Sequence, residues 1–300
     1  MRRKFLSRDL WFKKAAPSPV QLRKEFYLTV LAARMPLPAP LVVVNPKGEG
    51  GAVAGFLAPL GDKDKSSLGE PLDRGAYVVA SPDQKTVLRL TVISKEEAGF
   101  DPDRVLSSPL TNALDSDIRA GIAGTWMLLQ LTIESYDPAV YPALDFLLGV
   151  ARRLAELTDG TVADAVSQVY RSAGQVQMAT PAGQPLAVQN VVATHLISGL
   201  VVTAGMAKIG QAEIALAGVS ESNVLIAEHF LMGVALAVWK GEPLSIGQQV
   251  AAGDGAFSVV PSAHHPLGSD RLVYELSPDQ GTDPNPLLQA WWRGAHGNLA

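Results

Sequence analysis

Residues 137–151 (DPAVYPALDFLLGVA) and 221–235 (ESNVLIAEHFLMGVA) align without a gap and share Val, Ala, Phe, Leu, Gly, Val and Ala at equivalent positions. Two apolar helices of the same pattern need two similar surfaces to cover. The segments around them alternate short β-prone runs with single long helices, which predicts an α+β protein. The expected architecture is a worn duplication: two similar ferredoxin-like halves, each an antiparallel or mixed sheet covered by helices. A seam between such halves is where a binding site or partner surface forms.

The two repeat helices are expected to differ in environment. Ala139, Val140, Ala143, Leu147, Val150 and Leu154 form a core stripe on the first, and Asp145, Arg152 and Glu156 share its opposite face, so it should cover a sheet and meet water. On the second, the equivalent outer face holds Leu225, Ile226, Leu236 and Ala237, with little beyond His229 and Lys240 that wants solvent. That helix is expected to be buried nearly all round, by its own chain or by a partner.

Along the chain, QLRKEFYLTVLAARM reads as a helix between Ser18-Pro19 and Pro36, and LVVVN at 41–45 reads as a buried strand. Residues 75–80 and 86–94 read as a hairpin, 102–118 as the site of a short helix, and 125–134 and 161–165 as strands around the first repeat helix. Beyond the Gly, Pro and Gln-rich segment 173–185, a β-prone run at 190–207 and another at 213–219 lead to the second repeat helix. Short strands at 244–250, 256–261 and 271–276 and a closing helix in DPNPLLQAWWRGAHG follow. The expected organisation is a basic arm and helix at 1–40, a first α+β half at 41–172, a linker at 173–185 and a second half at 186–300.

The 300 residues, 47% of them apolar and 18% charged, supply enough material for a substantial core. The absence of cysteine excludes disulfides, thiolate metal sites and thiol nucleophiles. The start, MRRKFLSRDLWFKK, lacks the apolar run of a secretion signal, and the apolar stretches near 191–207 and 224–239 fall short of a bilayer span, so no membrane span and a cytoplasmic location are expected. Residues 1–34 carry nine Lys or Arg against two acids, while the remainder carries sixteen against twenty-seven. Such an arm either docks on the acidic body or attracts phosphates, which leaves nucleic-acid binding as a secondary expectation with a steep salt dependence.

Four clusters bear on chemistry. LVVVNPKGEGGAVAGF brings a strand into Gly48, Gly50 and Gly51 beside Lys47, a composition that cradles phosphate, but no Gly-Lys-Ser/Thr follows and Lys47 precedes the glycines. His264 and His265 lie in the loop SAHHPLGSD near Ser262 and Asp270, where acid-base or metal chemistry would need a third group such as His195 or Asp254. Glu228 replaces the Leu144 of the first repeat on an apolar helix, and a buried carboxylate must be neutral or paired. His195 sits in the β-prone run between Thr194 and Leu196. No ligand spacing supports a metal, and no cofactor is expected.

The stretch TAGMAKIGQAEIALAGVSESNVLIAEHFLMGVALAVW at 203–239 resembles a motif of an uncharacterised bacterial domain-of-unknown-function family: a Gly-rich turn after a strand, an acidic strand ending in Gly-Val, then an apolar helix. Gly205, Ile209, Gly210, Glu213, Gly218 and Val219 carry the likeness, and VARRLAELTDG at 150–160 is similar as well. The resemblance implies a bacterial cytoplasmic protein and assigns no activity.

The leading expectation is a non-enzymatic binding or self-association module, a homo-oligomer or a protein complex formed through the helix at 222–239. The alternative is a hydrolase-type enzyme acting on a small-molecule or phosphate ligand through Lys47 and the glycine loop or through the histidine loop. That alternative requires Lys47, His195, Glu228, His264 and His265 to converge in some pairing.

Overall fold

The computed structural model describes residues 22–23, 26–135, 140–179, 187–264, 266–268, 271–279 and 283–296. The basic arm at 1–21 and His265 lie outside the described residues. The class is α+β, and the chain divides into two compact units, Gln21–Asn190 and one built on Val191–Ala300.

The first unit holds a seven-stranded antiparallel sheet. Strand β1 (Tyr27–Ala32) lies at its interior between β7 (Met127–Ile133) and β8 (Thr161–Asp164). The helix expected over this stretch does not form. Val30, Leu31 and Ala32 are all buried, so both faces of the segment are covered, and a run rich in Val, Leu and Thr gains more as an interior strand than from its helical periodicity. Leu31 packs with Ile118 and Ile122 of helix α3 (Ser116–Ala123), which follows the short helix α2 (Pro102–Leu106). The hairpin β5 (Gly75–Ala80) and β6 (Val87–Ser94) forms as the alternation predicts, with β4 (Phe56–Pro59) and β9 (Val169–Ser172) at the sheet edges.

LVVVN does not become a strand along its length either. Pro40 occupies the first turn of a short helix, α1 (Pro40–Val43), and only Val44–Asn45 (β2) is extended, paired with Val53–Ala54 (β3). This segment lies on the first repeat helix, α4 (Val140–Thr158), where Arg153 donates to the carbonyls of Val42 (3.3 Å) and Gly50 (2.9 Å). The segment covers one flank of α4, where Phe146 is buried beside Gly55 and Gly149 meets Val53; Leu144, Leu148, Ala151 and Ala155 are buried too, so α4 is covered beyond Ala143, Leu147, Val150 and Leu154.

The second unit holds a six-stranded mixed sheet in the order β10 (Ala193–Ile197), β11 (Leu200–Ala204), β12 (Glu213–Ala217), β15 (Val273–Pro278), β14 (Gly255–Pro261) and β13 (Gln249–Ala252). Only the β12–β15 pair is parallel. The second repeat helix, α5 (Val224–Trp239), lies across β10, β11 and β12, and the C-terminal helix α6 (Pro284–His296) packs beside it, with Phe230 meeting Phe257 and Trp291 at ring-centroid distances of 5.3 and 5.1 Å. The opposite face of the sheet carries a second core of Leu200, Val202, Ala204, Ala215, Leu267 and Val273.

The expected burial of α5 all round is not what the fold gives. Its inner side, including Ala227, Phe230, Leu231, Val234, Ala235 and Val238, is buried, but Leu225 stands 62% exposed and Ile226, Met232 and Leu236 are half-buried. With its preceding turn, the stretch Glu221–Trp239 is long and apolar enough, by length and composition alone, to cross a membrane. Its seating on the sheet is that of a core helix with one side left open.

Neither unit follows the β-α-β-β-α-β alternation of a ferredoxin-like fold. In each, an antiparallel meander feeds one long helix. The chain then returns differently: after α4 to β8, separated from β7 by β1 alone, and after α5 to β13 at the far edge of the sheet.

Candidate functional site

The most organised polar site lies where β11 turns into β12. Gly205 adopts φ 131° and Gly210 φ 67°, conformations that favour glycine, and between them Met206–Ile209 form a single 3-10 turn. The turn delivers its opening amides to the carboxylate of Glu213, which is fully buried. Oε1 accepts from the Gly205 amide at 2.9 Å and the Ala207 amide at 3.2 Å; Oε2 accepts from the Met206 amide at 3.2 Å and the Thr203 hydroxyl at 3.0 Å. The Thr203 hydroxyl in turn accepts from the Ile214 amide at 2.8 Å. Burial holds the Glu213 carboxyl above its ordinary range, and the three amides and the hydroxyl oppose that displacement. Buried Lys208, on the same turn, donates from Nζ to the Val191 carbonyl.

Glu213 is thus a side-chain cap: the carboxylate at the start of β12 reaches back to satisfy the orphan N–H groups of the turn just before it. It holds backbone in place and is sealed from solvent, so it offers no reacting surface. Gly205, Gly210 and Glu213 build this turn, and Gly218, just past β12, takes a positive φ of 72°.

A cavity of about 490 Å³ opens at the other end of β10 and β11, lined by Ile197, Ser198, Gly199, Leu200, Ala217, Gly218, His264 and Pro266. Its floor is the tight turn at Ser198-Gly199, whose φ values are 52° and 80°. Among the described residues, His264 is the one titratable residue that lines it. The Ser262 hydroxyl is committed to Glu275 (3.3 Å) and to the amide of His264 (3.0 Å), an arrangement that shapes the loop rather than activating a nucleophile. His195 lies on β10 on the same sheet face as Ile197, opposite Val202. Glu228 is half-buried on α5, which packs on the other face. The structure therefore brings His264 to the cavity and leaves Glu228 away from it.

Lys47, Gly48, Gly50 and Gly51 belong to the first unit and form a loop organised from within. Asn45 Oδ1 accepts the amides of Lys47 and Glu49, each at 3.1 Å, and the Asn45 carbonyl accepts the Gly48 amide at 3.2 Å. These N–H groups point inward and are not available to a phosphate. Exposed Lys47 pairs with Glu49 at 3.5 Å. Among the described residues, no three His, Asp or Glu side chains gather as a metal site.

No family model matches the chain, and no curated protein or solved structure shows significant similarity to it.

Proposed function

We propose that this chain is a non-enzymatic module of the bacterial cytoplasm that self-associates through its C-terminal unit, with a second copy covering the open side of α5. The observation that carries this reading is the exposure of Leu225 on a helix whose neighbouring Ile226, Met232 and Leu236 are also incompletely covered. Apolar side chains grouped on one helix side favour an interface over free solvent. The arrangement of the candidate groups supports the non-enzymatic part: among the described residues, His264 is the candidate that lines the cavity, and Glu228 lies on α5 against the other face of the sheet.

The same reading takes the two units as diverged products of one duplication that kept a meander-then-helix plan. The aligned windows fall on α4 and α5, each of which follows the last strand of an antiparallel meander. Sedimentation and native mass spectrometry over a dilution series test the functional reading. A defined oligomer is expected, with L225E shifting it toward monomer. A chain that stays monomeric at every concentration overturns it.

A further inference from the structure

The outer edge of the second sheet shows how two copies would join. Among the described residues, β10 is an edge strand, paired only with β11. The two-residue turn at Ser198-Gly199 has positive φ at both positions, the type I′ geometry that closes a hairpin on a hydrogen-bonded pair, here Ile197 with Leu200. Hydrogen-bonded pairs alternate along an antiparallel ladder, so Ala193, His195 and Ile197 direct their backbone groups to β11, and Thr194 and Leu196 direct theirs outward. Among the described residues, the outward N–H and C=O groups of Thr194 and Leu196 meet no backbone partner.

Natural edges are blunted by proline, lysine, bulges or a covering element. β10, with the sequence ATHLI, has no proline, lysine or bulge, and Leu196 is 51% exposed on the face that carries α5. The opposite edge strand, β13, lies against α6. In the first unit, β4 ends in Pro59 and β9 lies against the helix at Ser116–Ala123.

Resting on the self-association reading above, we infer that two copies of this chain join β10 to β10 in antiparallel fashion, making one continuous sheet. The occupant is a second copy because the edge is complementary to itself. The outward-facing residues, Thr194 and Leu196, straddle His195, so a twofold axis at His195 sets Thr194 opposite Leu196 of the partner subunit, each pair exchanging both of its hydrogen bonds. The axis runs perpendicular to the sheet, so Leu196 meets Thr194 of the partner subunit on the α5 side. His195 then faces His195 of the partner subunit in a non-hydrogen-bonded pair, with Cα atoms about 4.5 Å apart.

That register has a direct test, because the natural chain contains no cysteine and a single introduced thiol reports alone. A Cα separation of about 4.5 Å lies within disulfide range. Mild oxidation of H195C should give a covalent dimer, while L272C, at a more accessible position (61% exposed) away from β10, should not. L196P removes only an outward N–H and leaves the β10–β11 ladder intact, so it should yield a folded monomer, and L196K should do the same by charge. If wild type is an oligomer, H195C cross-links no faster than L272C and both Leu196 variants remain oligomeric, the seam lies elsewhere and the β10 inference falls while self-association stands. If wild type is monomeric throughout, both fall.

Discussion

Glu213→Ala should be among the most damaging single changes in the second unit, although the residue touches no solvent. The substitution removes the acceptor for the amides of Gly205, Met206 and Ala207 and for the Thr203 hydroxyl. A buried donor left without a partner costs about 1–3 kcal/mol. The three amides alone therefore predict a loss of at least about 3 kcal/mol even at the low end of that range. Against a total stability of roughly 5–15 kcal/mol, this is a large fraction. Thr203→Val is the graded companion. It strands the Ile214 amide, now 2.8 Å from the hydroxyl, and should cost about 1–3 kcal/mol. Equilibrium urea unfolding followed by tryptophan fluorescence is the assay, since Trp239 and Trp291 are buried in the same unit and report on its integrity. An E213A protein within about 0.5 kcal/mol of wild type, with an unchanged urea slope, would refute the capping argument, because unsatisfied buried amides cannot be that cheap.

Two further perturbations test the first unit. Asn45→Ala removes the side chain that accepts the Lys47 and Glu49 amides and donates to the carbonyls of Leu41 and Glu49, so the glycine loop should become a site of rapid proteolysis at 46–51, with a stability loss of about 1 kcal/mol at this exposed position; cleavage unchanged from wild type would contradict it. Asp83 is held below the ordinary aspartate value of 3.8, chiefly by the Ser81 hydroxyl and then by the Lys85 amide. A depressed carboxyl stabilises the fold fully above its unfolded pKa and loses that contribution as pH falls through the folded value, so hydrogen exchange at the 81–86 turn should accelerate only below about pH 3.8. Acceleration already at neutral pH would show that the turn does not depend on this carboxylate.

The sequence is most legible where periodicity and punctuation agree. The hairpin at 75–94 alternates cleanly around SPDQ, and α4, α5 and α6 are marked by apolar spacing and by proline or polar starts. YLTVLA is misread because its apolar residues satisfy a helical stripe as well as a strand buried on both faces, and only the pairing with β7 and β8 decides between them. LVVVN is misread because Pro40 opens a helical turn that local β propensity does not reveal. Glu228, expected as a buried carboxylate, is half-buried, whereas Glu213 is fully buried. The available signal was a lone acid opening the apolar strand EIALA, a few residues after two glycines at which the chain must turn. Its partners are backbone amides, which no side-chain pattern displays.

The contrast between the two repeat helices also has a physical origin. Both carry the same core stripe, so sequence alone assigns solvent to the helix with charges on its outer face, α4, and burial to the more apolar α5. The structure keeps water on the charged face of α4, where Arg152 and Glu156 are exposed, but it leaves α5 open, because cover is supplied by what packs on each helix in the fold. The segment at 40–55 lies on α4, and Arg153, beside the charged outer face, clamps it by donating to two of that segment's carbonyls. A guanidinium serves this role well because its fork can bond two carbonyls at once while its stem packs on apolar neighbours. Among the described residues of the second unit, α6 flanks α5 and no equivalent of the 40–55 segment lies over its outer side. Leu225 therefore stays exposed on the same face of the sheet as Leu196 at the unpaired β10 edge. One unit completes its helix with its own chain. The other presents an open helix side and an open strand edge together, the combination that a second copy would close at once.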